Sequence, residues 1–125
     1  PIPTVFKDQE ILRAALVKYG ELIRQYPTSD KIDDAAFRMG EIQKGLNDFT
    51  IALSYYQRAY QWDPATPHPA RFRAADILDR RLRRRAEAME VYQEAIVKEA
   101  QYTDLRLMAE RRVQELNTSK DSTQP

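Results

Sequence analysis

Groups able to do covalent or acid–base chemistry are scarce in this chain. His68 is the only histidine and there is no cysteine, which excludes disulfides, thiolate nucleophiles and cysteine-based zinc sites. His68 stands between Pro67 and Pro69, without a neighbouring carboxylate or second histidine to make it a general base or metal ligand. It reads as a solvated loop residue. A di-iron bundle would need two Glu-x-x-His pairs, which one histidine cannot supply. Paired carboxylates occur at Asp33-Asp34 and at Asp76 with Asp79. The first pair opens a predicted helix, where negative charge complements the dipole. The second lies among arginines and reads as ion-pair partners rather than acid and base. Phosphate loops, nucleophile elbows and zinc-binding helix motifs are missing, so no catalytic residue, cofactor or metal is expected.

Recognition chemistry is better represented. Arg71, Arg73, Arg80, Arg81, Arg83, Arg84 and Arg85 place seven arginines in fifteen residues, offset there only by Asp76 and Asp79, a local charge of +5. Guanidinium forks suit carboxylates and phosphates. Two readings stay open: Glu87, Glu90 and Glu94 on the following helix neutralise the patch, or it docks an acidic peptide or a carboxylate terminus. Nucleic acid is not expected, because stacking aromatics are nearly absent beside the arginines and the net charge is only +1.

The elements that carry these residues read as helices throughout. Three glycines in 125 residues, with recurrent Ala, Leu, Arg, Glu and Gln, favour an all-α chain of one domain over 1–117. No apolar run approaches the roughly 18 residues of a membrane span. The opening Pro1-Ile2-Pro3-Thr4 has neither Met nor a signal-peptide layout, so the chain reads as a slice of something longer.

An extended lead-in over 1–6 and an Asp8 cap are expected before a helix over 9–25, with Ile11, Leu12, Ala15, Leu16, Tyr19, Leu22, Ile23 and Tyr26 on its apolar side. Ser29 or Asp30 caps the next helix, whose core positions are Ile32, Ala35, Ala36, Met39, Ile42 and Leu46. The run Gly45-Leu46-Asn47 ends it, and Asp48 caps a third helix carrying Phe49, Ala52, Leu53, Tyr56, Ala59, Tyr60 and Trp62. Pro64, Pro67 and Pro69 force a bend. A fourth helix then runs from near Pro69 through Phe72, Ala75, Leu78 and Leu82, a fifth over 86–100, and a sixth over 104–117 with Leu105, Met108, Ala109, Val113 and Leu116. Glu87, Glu90, Glu94 and Glu99 fall mostly off the apolar line of the fifth. Between the fourth and fifth helices there is no Gly or Asn, which leaves either a turn near Arg83 or a continuous helix. Residues 118–125 read as a disordered tail.

Within 33–66, Met39-Gly40, Phe49, Ala52, Tyr56, Ala59 and Pro64 stand at the spacing of a tetratricopeptide repeat, and the segment closely resembles one full unit. Small residues at 40 and 52 let two helices approach. A second unit over 69–102 repeats the pattern with Phe72, Ala88, Tyr92 and Ala95, although Ala75-Asp76, Arg85 and Ala100 replace Met-Gly, Phe49 and Pro64. Ala15, Tyr19 and Pro27 resemble the second helix of a half-unit over 8–27. Tyr26-Pro27-Thr28-Ser29 followed by the run from Asp33 to Glu41 resembles repeats of bacterial cell-envelope proteins, such as outer-membrane assembly lipoproteins and Tol-Pal coordinators.

The resemblance implies a right-handed α-solenoid of antiparallel helix pairs, about six helices, closed by the sixth as a cap. It implies a non-catalytic protein–protein interaction scaffold that binds a peptide or partner segment in a concave groove lined by the first helix of each pair. That assigns Asp34, Phe37, Glu41, Lys44 and Gly45 to the groove of the first unit, and Ala70, Arg73, Ile77, Arg80 and Arg81 to that of the second. With Arg84 from the basic patch, the expected partner-binding set is Asp34, Phe37, Glu41, Lys44, Arg73, Ile77, Arg80, Arg81 and Arg84, facing an acidic partner. The Lys and Asn clamp for chaperone C-termini is not matched. A helical-repeat RNA binder and a regulatory domain sliced from a larger enzyme or envelope protein are the alternatives. The periplasm or cell envelope is favoured over the cytoplasm.

Overall fold

A computed structural model describes residues 4–26 and 31–122, with side chains described over 9–26 and 31–119. Every regular element among them is helical, six helices in all with one π turn. The chain divides into two compact units, Pro1–Pro64 and Ala65–Pro125.

The first unit holds α1 (Thr4–Gln25), α2 (Ile32–Gly45) and α3 (Phe49–Trp62), and α2 packs against both of the others. Contrary to the expected lead-in, α1 already begins at Thr4. Prolines ahead of a helix remove no intrahelical bond, so those at 1 and 3 set no boundary at Asp8. Coverage of α1 is partial: Ile11 is 67% exposed, and Tyr26, just past its end, 57%. The caps expected at Ser29 or Asp30 lie outside the described residues, and Lys31 precedes α2 with no side-chain capping bond.

Small residues and one ring join α2 to α3. Ala36, Ala52, Tyr56 and Ala59 have no exposed surface. A Cβ on Gly40 would lie 2.7 Å from both Tyr56 Cδ1 and Cε1, so glycine alone lets the ring close on this turn of α2. Tyr56 also meets Phe37 at a centroid separation of 5.6 Å, with the rings tilted by 56°, and its hydroxyl donates to the Glu41 carboxylate. The reversal into α3 places Asn47 at φ 65°, a left-handed geometry that Asn tolerates better than most residues. The Asp48 amide then donates to the Gln43 carbonyl at 2.8 Å. Asp48 precedes α3 as expected, but its side chain makes no capping bond.

The second unit holds α4 (Ala70–Asp76), a π turn (Ile77–Arg81), α5 (Arg85–Lys98) and α6 (Thr103–Ser122). Glu99, just past α5, is completely buried, contrary to its expected place off the apolar line. Its carboxylate accepts from the Arg71 amide at 2.9 Å, the Phe72 amide at 3.2 Å and the Arg71 guanidinium at 3.2 Å. A carboxylate from α5 thereby satisfies amides at the start of α4, which have no partner within their own helix. The Tyr102 hydroxyl donates to the Pro67 carbonyl, tying the α5–α6 junction to the loop before α4. Helix α6 continues to Ser122, so residues 118–122, expected in a disordered tail, are helical. No proline or glycine interrupts them, and residues 123–125 lie outside the description.

Replacing Gly40 with Ala is expected to destabilise the first unit by about 1–3 kcal/mol through the clash with Tyr56. Gly45→Ala, with nothing within 4 Å of the added methyl, is expected to be neutral or mildly stabilising. Urea denaturation of both variants checks the contrast.

Candidate protein-binding cleft in the second unit

The cleft is built on the π turn. Ile77, Leu78 and Asp79 are all buried, whereas a regular α-helix spreads three consecutive residues over about 200°. Widening the turn, with the Leu82 amide bonded to the Ile77 carbonyl at 2.9 Å, narrows that arc. Arg83 then takes the left-handed position at φ 58°, and the Arg84 amide donates to the Leu78 carbonyl at 2.7 Å. The choice between a turn and a continuous helix is thus settled as a turn. A non-glycine residue there costs about 1–2 kcal/mol.

Asp79, with no exposed surface, is where the elements of this unit meet. Arg112 of α6 donates to both of its oxygens, Nε at 2.7 Å and Nη2 at 2.9 Å. The Tyr92 hydroxyl of α5 donates at 3.0 Å, and Arg85 Nε at 3.3 Å. Burial pushes the carboxyl pKa up, but the bonds from Arg112 and Tyr92, the Arg112 charge and the Arg85 bond outweigh it and hold Asp79 below the ordinary aspartate value. Tyr92 is pushed above the usual tyrosine value, first by burial and then by the charge on Asp79.

This arrangement holds α6 beside α4 and leaves a cleft of about 170 Å³ between them. Phe72, Tyr92, Leu105, Met108 and Ala109 supply its apolar lining, and Arg73, Asp76, Arg80 and Arg112 its polar lining. Arg80 and Asp76 are half-exposed and lie 3.7 Å apart, an ion pair of little energetic weight in water. Arg112 is committed elsewhere: besides Asp79 it reaches Glu115 at 3.0 Å.

Of the expected partner-binding residues, Arg73 and Arg80 come together here. Ile77 does not, having no exposed surface; the π turn carries it into the core. Arg81 and Arg84 are exposed but do not line the cleft, and Arg84 is held by Glu87 at 2.6 Å. At least four of the seven arginines of the basic patch make internal ion pairs: Arg71 with Glu94 and Glu99, Arg80 with Asp76, Arg84 with Glu87 and Arg85 with Asp79. Of the three glutamates expected to neutralise it, Glu87 and Glu94 make these pairs. In the first unit, Phe37 is only 6% exposed and its ring packs on Tyr56, which corrects its assignment as a contact residue. Glu41 is half-buried and receives the Tyr56 hydroxyl. Asp34 lies 3.9 Å from Arg38 on the surface, and Lys44 is half-buried.

Met108, one of the apolar residues expected on the sixth helix, is 65% exposed at the mouth of the cleft. Arg112 carried no signal beyond being a cation on α6, since Asp79 lies 33 residues away. His68 is half-buried in its loop, with its amide donating to Thr66 Oγ1 at 3.4 Å. Among the described residues, no three His, Cys, Asp or Glu side chains converge as a metal site, and no helix is long and apolar enough to cross a membrane.

The packing in α2 and α3, a tyrosine closed on a glycine between buried alanines, falls in a segment with a recognisable family pattern. Residues 33–66 match the tetratricopeptide repeat. No curated protein matches the chain. The second unit shows the same burial outside the matched segment: Ala88 and Ala95 have no exposed surface and Tyr92 is 5% exposed, as Ala52, Ala59 and Tyr56 are buried in the tetratricopeptide repeat. Each tyrosine hydroxyl donates to a carboxylate from the preceding helical segment, Glu41 in one unit and Asp79 in the other. Tetratricopeptide repeats generally mediate protein–protein interaction.

Because Asp79 is held below its unfolded value near 3.9, it adds stability above about pH 4 that is lost as pH falls through the folded pKa. Glu99, raised chiefly by burial against the bonds from Arg71 and Phe72, acts in the opposite sense and favours the folded state on protonation. The difference between wild type and Asp79→Asn isolates the first effect. The variant is expected to be less stable at pH 7, with the gap closing toward pH 3, as read by denaturant titrations across pH.

Proposed function

We propose that this chain is a non-catalytic protein-interaction module that docks an acidic segment of a partner protein in the cleft between α4 and α6. The observation that carries this reading is an apolar floor with arginine side chains at its edge. Leu105 and Met108 offer surface to bury over a floor closed by Phe72 and Ala109, while Arg73 and Arg80 offer guanidinium groups that orient a carboxylate. A peptide is favoured over nucleic acid because the cleft is a small apolar space rather than a row of exposed rings on which successive bases stack. The tetratricopeptide match over 33–66 supports the same class of role. The likeness of the run from Asp33 to Glu41 to envelope repeats favours a periplasmic or cell-envelope setting.

Charge reversal at the edge tests the reading. Arg73→Glu combined with Arg80→Glu is expected to abolish capture of acidic peptides while leaving helical circular dichroism unchanged. Arg111→Glu, an exposed change on α6 that does not line the cleft, is expected to weaken capture little. Equal loss from both variants would reduce the effect to general electrostatics, and unchanged capture by the double variant would remove the cleft from the account.

A further inference from the structure

Resting on the cleft as the docking site, we infer that it selects one unsubstituted apolar side chain of phenylalanine size on the acidic segment, and discriminates against tyrosine and tryptophan. Size is the first argument. The cleft measures about 170 Å³, close to the roughly 150 Å³ of a dry protein cavity that takes up benzene. One six-membered ring fills such a space, and an indole exceeds it.

Polarity is the second argument. The hydroxyl of Tyr92, which lines the cleft, is already donated to Asp79. Three of the Arg112 nitrogens are engaged by Asp79 and Glu115. A tyrosine hydroxyl placed on this floor exchanges water for groups already engaged, which is less favourable than burying hydrocarbon alone. Phe72, Leu105, Met108 and Ala109 reward only hydrocarbon.

Charge places the rest of the segment. Arg73 of α4 and Arg80 of the π turn line the cleft, so a carboxylate flanking the anchor lies against guanidinium while the ring points inward. Asp76, beside Arg80 at 3.7 Å, repels a second carboxylate at that point and limits the register. Met108, flexible and 65% exposed at the mouth, adapts to the edge of the ring.

The test uses a short fluorescein-labelled peptide of Glu, Ser and Gly with one central Phe, alongside versions carrying Ala, Tyr or Trp at that place, titrated against the intact chain by fluorescence anisotropy. The Phe peptide is expected to bind about tenfold to a hundredfold tighter than the Ala peptide, with Tyr and Trp weaker than Phe. Met108→Trp, a change at an exposed position, should occupy the mouth and erase the Phe advantage. In methyl NMR, only the Phe peptide should shift the Met108 methyl of the wild type through its ring current. Equal binding of the Phe and Ala peptides would overturn the anchor, and if Arg80→Glu still weakened both, docking of an acidic segment in the cleft would stand without it. No binding of either peptide, or Tyr equal to Phe, also overturns it.

Discussion

A buried carboxylate with three donors organises the second unit. Asp79 sits on a π turn, and its ligands come from two other helices: Tyr92 and Arg85 from α5, Arg112 from α6. A buried ion pair is weak evidence of net stability, but removing one partner typically costs about 3–5 kcal/mol because the other charge is left uncompensated. The arrangement therefore imposes geometry more than it adds energy. It fixes the rotation of α6 against α4, and that rotation is what opens a cleft with Leu105 and Met108 on one side and Arg73 and Arg80 on the other.

The same economy of polar contacts appears at the other end of the unit. Glu99 satisfies the first amides of α4 from the end of α5, with Arg71 buried beside it. Both ends of the α4–α5 hairpin are thus held by carboxylates with arginine partners. In the tetratricopeptide repeat over 33–66, the equivalent closeness is steric: Gly40 admits the Tyr56 ring, and the Tyr56 hydroxyl finds Glu41. The α4–α5 hairpin relies on ion pairs instead.

The helices were legible because their apolar periodicity and their proline and Asn-containing breaks are local signals. Ala52, Tyr56 and Ala59, and again Ala88, Tyr92 and Ala95, were legible as core because small residues beside a tyrosine make sense only where helices touch. The π turn was not legible, since it follows from burying Ile77, Leu78 and Asp79 together, a demand set by neighbours distant in sequence. Phe37 and Ile77 were assigned to a surface by repeat position, and tertiary packing placed both inside. The basic run between Arg71 and Arg85 looked like one patch, but its members point to different partners, and only the structure shows that Arg73 and Arg80 line the cleft while Arg71, Arg84 and Arg85 reach Glu94, Glu99, Glu87 and Asp79. The cleft itself needed Arg112 and Met108, whose relation to α4 no spacing rule conveys.

The account turns on Asp79 and Arg112 holding α6 in place. Hydrogen–deuterium exchange of Arg112→Met tests this directly, because the substitution keeps the aliphatic bulk and removes the guanidinium. Faster exchange is predicted along α6 and the π turn, with α2 and α3 unchanged. Exchange in α6 identical to that of the wild type would mean that apolar packing alone positions the helix, and would contradict the account.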